Sequence, residues 1–476
     1  MKNNPKSSRA IIIFLAIVSC VLSFQCTPKL SQNSKSSNVS FWLTDPKENV
    51  LFQEQNKLSS SEAQNNEIIT INPETKYQTM DGFGYCLTGG SARLLAQMEK
   101  NARAKLIKEL FSTEGNGIGT SYLRLSIGAS DLSDSVFTYN DLPFGEIDVE
   151  MKKFSIAEEQ VYLIPILKEI LALQPDIKIM GSPWSPPVWM KTNQNSKGGS
   201  LKPEFYDAYA LYFVRYIEAM AKEGITIDAI TVQNEPLHPG NNPSLLMYAQ
   251  DQANFIKQSL GPAFKKANIK TKIIVYDHNA DRPDYPATIY QDKEAAKYVD
   301  GAAFHLYGGK IDTLNSLHEA YPDKNLYFTE QWVGAPGKLS VNLEWHVSQL
   351  IIGATRNWCK TVLEWNLAAT ADYKPYTPGG CTKCVGAVTI IGNEVERNPA
   401  YYIIAHAAKF VRPGAVRIAS NELDEILNVA FLNMDGSIVL VAVNNNKTAQ
   451  SFQIKLGATN YTASLNSGAV GTFILN

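Results

Sequence analysis

Histidine and cysteine are scarce in this chain, six of each among 476 residues, and the histidines stand as scattered singles. No paired Cys/His spacing of a zinc site is present, so a metal cofactor is not expected. Charge is sparse as well: Asp, Glu, Lys and Arg make up 19% and the net charge is −2. That balance leaves no basic stripe for nucleic acid and no polybasic patch for a membrane surface. Long apolar runs are missing, and no glycine-rich phosphate loop follows the first strand-like segment, which weakens a dinucleotide-binding reading. With 45% hydrophobic residues, what remains is a large soluble enzyme or binding protein with a sizeable core.

The first residues read as an export signal. Lys2, Lys6 and Arg9 precede the apolar run Ile11–Val18, which is too short and too early for a spanning helix. Ile17-Val-Ser-Cys20 has the form of a bacterial lipobox, and Cys26 is a second candidate, so a lipid anchor on Cys20 or Cys26 is expected, with the protein periplasmic or on the cell surface. Residues 1–26 form this signal, and residues 27–40 read as a Ser/Asn/Lys-rich tether. Of the four remaining cysteines, Cys381 and Cys384 are read as a small-loop disulfide or free thiols rather than a metal or redox site.

What the chain does contain is rhythm. Eight short apolar segments occur at 78–87, 122–128, 178–185, 229–236, 272–278, 301–307, 325–332 and 360–368. Most are separated by amphipathic stretches of helical spacing, such as 92–111, 161–173, 206–222, 248–260 and 343–355. Near-continuous apolar strands alternating with helices predict a parallel sheet covered on its outer face. Eight units in one stretch predict a (β/α)8 TIM barrel over residues 78–395.

Polar and aromatic residues gather at the C-terminal ends of these strands, where such a barrel builds its active site. They include Asp131, Trp184, Asn234, Asp277, His305, Tyr307, Glu364, Trp365 and Asn366. Two segments stand out. In Thr231-Val-Gln-Asn-Glu-Pro236 and Leu326-Tyr-Phe-Thr-Glu-Gln331 a glutamate closes a strand-like run. A pair of carboxylates so presented suits a retaining glycosidase, one protonating the leaving oxygen and the other attacking the anomeric carbon.

Beyond Ile390 the pattern changes. A helix-like stretch at 400–410 is followed by short strand-like segments at 425–431, 437–443, 451–455 and 470–475, which predict a β-sandwich-like side domain over 396–476. The early strands within 41–77 are expected to join it, because no barrel helix separates them. Its expected role is structural support.

Seven motifs in register give the chain a resemblance. Asp81-Gly-Phe-Gly84, Tyr122-Leu-Arg-Leu125 with Asp131, Ser182-Pro-Trp-Ser-Pro186, Gln233-Asn-Glu-Pro236, Ala303-Phe-His-Leu-Tyr307, Phe328-Thr-Glu330 and Trp365-Asn-Leu-Ala368 together resemble glycoside hydrolase family 30, the glucosylceramidases and β-1,6-glucanases. The resemblance implies a barrel with a side β-domain, retaining chemistry and no cofactor. It places the acid/base on Glu235 and the nucleophile on Glu330, with Asp131, Trp184, Glu364, Trp365 and Asn366 at glycone-binding positions. Asn234 is then expected to bond the sugar 2-hydroxyl, while His305 and Tyr307 are expected to orient Glu330 or its neighbours and to keep Glu330 ionised. Glu235 is expected to have a raised pKa from partial burial and the nearby Glu330 charge. The chain departs from the family pattern at Tyr85-Cys86 and Thr88-Gly-Gly90, beside the glycone. The long loop 369–388 after the eighth strand is expected to wall one end of the cleft and to favour short products.

The expected substrate is an oligo- or polysaccharide, foremost a β-1,6-linked glucan or the β-1,6 branches of a mixed glucan. β-Glucosidase, β-xylosidase or glucosylceramidase activity is the alternative. From another class, a glycan-binding protein without turnover is the competing reading, opposed by the presence of both glutamates.

Overall fold

The structure, a computed structural model, describes residues 38–62 and 67–476. The expected signal segment and both candidate lipid-anchor cysteines lie outside the described residues. The tether read over 27–40 runs too far, since residues 39 and 40 already belong to the strand Val39–Asp45.

Eight parallel strands close a barrel in chain order: β1 (Gly82–Cys86), β2 (Tyr122–Ser126), β3 (Lys178–Ser182), β4 (Ala229–Thr231), β5 (Lys272–Asn279), β6 (Val299–His305), β7 (Asn325–Glu330) and β8 (Cys359–Glu364). Closure is made by β8 on β1, with Thr361 opposite Gly82 and Glu364 opposite Tyr85. The Asp81-Gly-Phe-Gly84 motif has a packing reason here. A Cβ on Gly84 would fall 1.8 Å from the carbonyl oxygen of Tyr122, so β1 and β2 approach closely only with glycine there.

Strand periodicity sets what fills the barrel. Residues two apart share a face, so each strand feeds the interior in steps. The lower step is apolar, with Tyr122, Met180, Ala229, Ala303 and Tyr327 in one buried cluster. Two residues further along the same strands come Arg124, Ser182, Thr231, His305 and Thr329, all polar and buried. The change from an apolar to a polar layer therefore happens at one height in the barrel, just below its C-terminal rim.

The helices form as their patterns dictate. Tyr206–Lys222 buries Tyr209, Tyr212, Phe213, Tyr216 and Met220, an i, i+3, i+4, i+7, i+11 stripe, and ends before Gly224, whose φ is +81°. The stretch 92–111 divides into two helices, Gly89–Gln97 and Lys100–Phe111. The stretch 343–355 belongs to a helix that starts earlier, at Leu339, and continues from Val347 to Ala354 with π-helical bonding.

The side domain is a ten-stranded sheet that takes strands from both ends of the described chain. Val39–Asp45 pairs with the C-terminal strand Val470–Leu475, and Glu67–Thr79 lies between Val416–Ser420 and Gln450–Leu456. Strand Ile438–Asn444 is buried throughout because its two faces serve two cores. Ile438, Leu440 and Ala442 point into the sheet's own core, while Val439, Val441 and Val443 pack with the barrel. The sequence reading missed Val50–Leu58, Val416–Ser420 and Thr459–Leu465. The first and last are too polar to carry an apolar strand signal.

Candidate active site

Asp277 is the hub of the polar layer. Its Oδ2 accepts from Arg124 Nη2 at 2.8 Å and from the hydroxyls of Ser182 and Thr231, both at 2.7 Å. Its Oδ1 accepts from Thr329 Oγ1 at 2.6 Å and faces His305 Nε2 at 3.1 Å. Burial alone would raise this carboxyl, but Arg124, His305 and Thr329 outweigh it and hold Asp277 well below the ordinary range.

Arg124 is completely buried and ties the layer to the rim. Its Nη1 donates to Glu330 Oε2 at 2.6 Å and its Nη2 to Asn234 Oδ1 at 2.7 Å. The guanidinium also lies over the rings of Trp184 and Trp365, 4.9 and 5.9 Å from their centroids. Because arginine only donates, it fixes the Asn234 amide with oxygen inward and leaves Nδ2 to donate into the cavity.

Glu330 closes β7, and its second oxygen, Oε1, accepts from the Tyr307 hydroxyl at 2.9 Å. Glu235 lies beyond β4 in a left-handed backbone conformation, φ +43°, with its N–H bonded to Asp277 O at 3.0 Å. A non-glycine residue held there is strained by about 1–3 kcal/mol, a kind of strain that clusters at functional sites. His305 faces Glu235 rather than orienting Glu330: its Nδ1 is 3.3 Å from Glu235 Oε1 and 3.9 Å from Glu330 Oε1. One oxygen of each glutamate and a ring nitrogen of His305 all lie within 4.8 Å of one another. Three such groups suffice to approach a cation, but both oxygens of Glu330 already accept from Arg124 and Tyr307.

The protonation balance differs from the sequence-based expectation. Burial would lower His305, but the charges of Glu330, Asp277 and Glu235 raise it to about 9. Burial would raise Glu235, yet the His305 hydrogen bond and charge, with His278 and His238, bring it below its ordinary value. Glu330 is raised, by burial first, with the charges of Glu235 and Asp277 adding to it against His305 and Arg124. The raised Glu235 expected from sequence is therefore not found. Its nearest imidazole was missing from that reckoning.

A cavity of about 490 Å³ opens over the pair. Of the residues expected to bind substrate, Asp131, Trp184, Asn234, Tyr307 and Trp365 line it. Asp131 accepts from the Cys381 N–H at 3.2 Å, and burial with the charges of Glu330 and Glu235 raises it to about 7. His305, Glu364 and Asn366 stand behind the wall. Glu364 is fully buried against His346 Nδ1 at 2.6 Å, and Asn366 Oδ1 accepts from Ser91 Oγ at 2.8 Å and Thr88 Oγ1 at 3.2 Å. The departing segment at 85–90 thus acts through Thr88 and through Cys86, which packs under Trp184 and Trp365. Cys381 and Cys384 are disulfide-bonded and, with Gly380, form one wall, so the loop 369–388 does border the cavity.

Sequence reasoning did not single out Arg124, His238, Asn241 or Asn279, although the last three line the cavity and Arg124 lies beneath it; Trp332, which follows the end of the seventh strand, lines it too. Arg124 had a signal: a lone cation inside Tyr122-Leu-Arg-Leu125 must be paired if that strand is buried.

A closed (β/α)8 barrel with two strand-end glutamates this close, one clamped by arginine and tyrosine, defines a glycoside hydrolase. The chain belongs to glycosyl hydrolase family 30. Its residues 80–411 match the family's TIM-barrel domain and residues 414–473 its beta sandwich domain. It is 34% identical over 394 residues to the endo-1,6-beta-D-glucanase neg1 of Aspergillus fumigatus, covering 77% of this chain and 78% of that one. It is 31% identical over 401 residues to the lysosomal acid glucosylceramidase of Mus musculus, covering 79% and 77%. Among solved structures, an endo-β1,6-glucanase superposes with a TM-score of 0.85 at 38% identity, over 92% of this chain and 99% of that one. The enzyme therefore acts on carbohydrate.

Proposed function

We propose that this enzyme cleaves β-1,6-linked glucan with retention, using Glu330 as nucleophile and Glu235 as acid/base. The observation that carries the mechanism is the approach of the two carboxylates, oxygen to oxygen within 4.8 Å. Retaining enzymes keep the two groups about 5–5.5 Å apart, whereas inverting ones leave about 6.5–9.5 Å for a water. The substrate follows from similarity to endo-1,6-glucanases, 34% and 38%, against 31% for the glucosylceramidase. The N-terminal Lys2–Val18 pattern supports export, with Cys20 or Cys26 as the lipid attachment point.

The steps balance within the cluster. His305 Nδ1 stands 3.3 Å from Glu235 Oε1, so the imidazole can hand a proton to that carboxylate and take it back. Substrate sets C1 above Glu330 and the glycosidic oxygen beside Glu235, which enters the step protonated by His305 Nδ1 while Glu330 enters it as the carboxylate. Glu330, held by Arg124 and Tyr307, attacks C1 as Glu235 protonates the leaving oxygen; the C1–O bond breaks and a glycosyl ester forms. Glu235 then takes a proton from water, whose oxygen attacks C1 and releases Glu330. Asn234 Nδ2 donates to the 2-hydroxyl, a contact that strengthens as positive charge grows on the ring. Asp131, Trp184 and Trp365 hold the glycone.

Product analysis on linear β-1,6-glucan, beside a β-1,6-branched β-1,3-glucan and an aryl β-glucoside, tests this reading. Gluco-oligosaccharides released from the 1,6 substrates are expected. Activity on the aryl glucoside alone would move the substrate to other glucosides. Glu330→Gln and Glu235→Gln should each lower kcat/KM on glucan by at least about 10²–10⁴-fold while still binding it.

A further inference from the structure

A second groove of about 600 Å³ lies beside the catalytic cavity, between the β7 loop and the helix Leu339–His346. The two cavities share one side chain, Trp332. That indole lies against the backbone of Gly334, where a Cβ would fall 3.3 Å from the ring, so glycine lets the ring settle there. Across the groove Trp345 is 41% exposed and Val341 64% exposed, an apolar floor that the fold has not covered. Gln331 and Asn342 supply amides at its edges, Lys338 and His346 line it as well, and among the described residues the lining contains no acidic one.

These features fit one kind of ligand. A pyranose ring offers C–H faces to aromatic rings and a belt of hydroxyls to amides, and it is uncharged. Continuity through Trp332 says which sugar arrives there: the next units of the chain already lying in the catalytic cavity.

We infer that the Trp332–Trp345 groove is a remote subsite that binds glucosyl units of the same β-glucan chain beyond those flanking the cleaved bond. This rests on the glucanase reading above. It makes the enzyme's efficiency depend on chain length, with the groove contributing to substrate affinity and not to bond cleavage.

The test is kcat/KM on linear β-1,6-gluco-oligosaccharides of rising length, for the wild type, Trp345→Ala, Trp345→Phe and Val341→Arg. Val341 is exposed, so arginine there obstructs the groove without touching the core. For the wild type kcat/KM should climb as chains become long enough to reach the groove. Trp345→Ala and Val341→Arg should remove that climb, about tenfold on long chains and through KM, and leave the shortest cleaved substrate within about twofold. Trp345→Phe should retain most of it. Equal length profiles in wild type and variants would overturn the subsite. So would a loss uniform across all lengths, which would mark Trp345 as support for the neighbouring His346–Glu364 pair. Wild type inactive on every 1,6-linked length would instead overturn the glucanase reading, and the subsite with it.

Discussion

Two histidines in this molecule are fully buried, and their surroundings drive them in opposite directions. His305, at the polar layer of the barrel, is raised to about 9; His406, in the seam between barrel and side sheet, is lowered to about 3. His406 meets only neutral groups, the hydroxyls of Thr472 and Thr44, both at 2.8 Å, so burial alone decides and disfavours its cation. His305 meets three carboxylates, and their charge reverses the same penalty. Burial does not set protonation by itself. The seam is built to be neutral and rigid, whereas the rim holds protons that chemistry can move.

Removing the permanent cation beneath the rim, the Arg124 guanidinium, should break this contrast most severely. Arg124→Met leaves Asp277 and Glu330 buried with less compensation, and loss of one partner from such a cluster costs about 3–5 kcal/mol. Denaturant unfolding should show that loss together with near-complete loss of glucan hydrolysis. Unchanged stability would mean that the guanidinium contributes little beyond positioning.

His305→Gln is expected to sharpen it. Glutamine keeps a hydrogen-bonding amide but cannot relay a proton, so kcat/KM should fall about 10²-fold. The wild-type activity limb that declines as pH rises toward 9 should be absent or displaced in the variant. In stability, His305 binds more protons folded than unfolded, so its contribution is complete below about 6.5 and disappears as pH rises through 9. An identical pH–rate profile in the variant would remove His305 from the proton path.

The smallest effect belongs to the seam. His406 binds fewer protons folded than unfolded between about 3 and 6.5, so its contribution is complete above 6.5 and is lost as pH falls toward 3. That loss is at most about 1.4 kcal/mol per pH unit. His406→Gln should cost about 1 kcal/mol at pH 7 yet flatten the decline in thermal stability between pH 6.5 and 4. Activity at pH 7 should not move. A decline as steep as that of the wild type would assign acid sensitivity elsewhere.

Much of this architecture was legible because strands and helices announce themselves locally. Eight apolar segments marked eight barrel strands, and Glu235 and Glu330 could be noticed because each closes such a segment. The long segment Glu67–Thr79 was less legible than its partners: only 68–71 carries an apolar pattern, and the rest is held by pairing with Val416–Ser420. Glu364 illustrates the opposite error. At a strand end it resembled a sugar contact, yet it turns into His346, eighteen positions earlier in the chain.

The sequence by itself determined the barrel, the side sheet fed from both ends of the described chain, and the two glutamates at the rim, since each depends on periodicity within a few residues. Only the tertiary structure decided where charge resides. Arg124, Asp277 and His305 lie 25 to 206 residues from the charged groups they meet, and their mutual energies exist only once the barrel closes and water is excluded. The pattern could therefore indicate which residues face the cavity, but not which of them carries the proton.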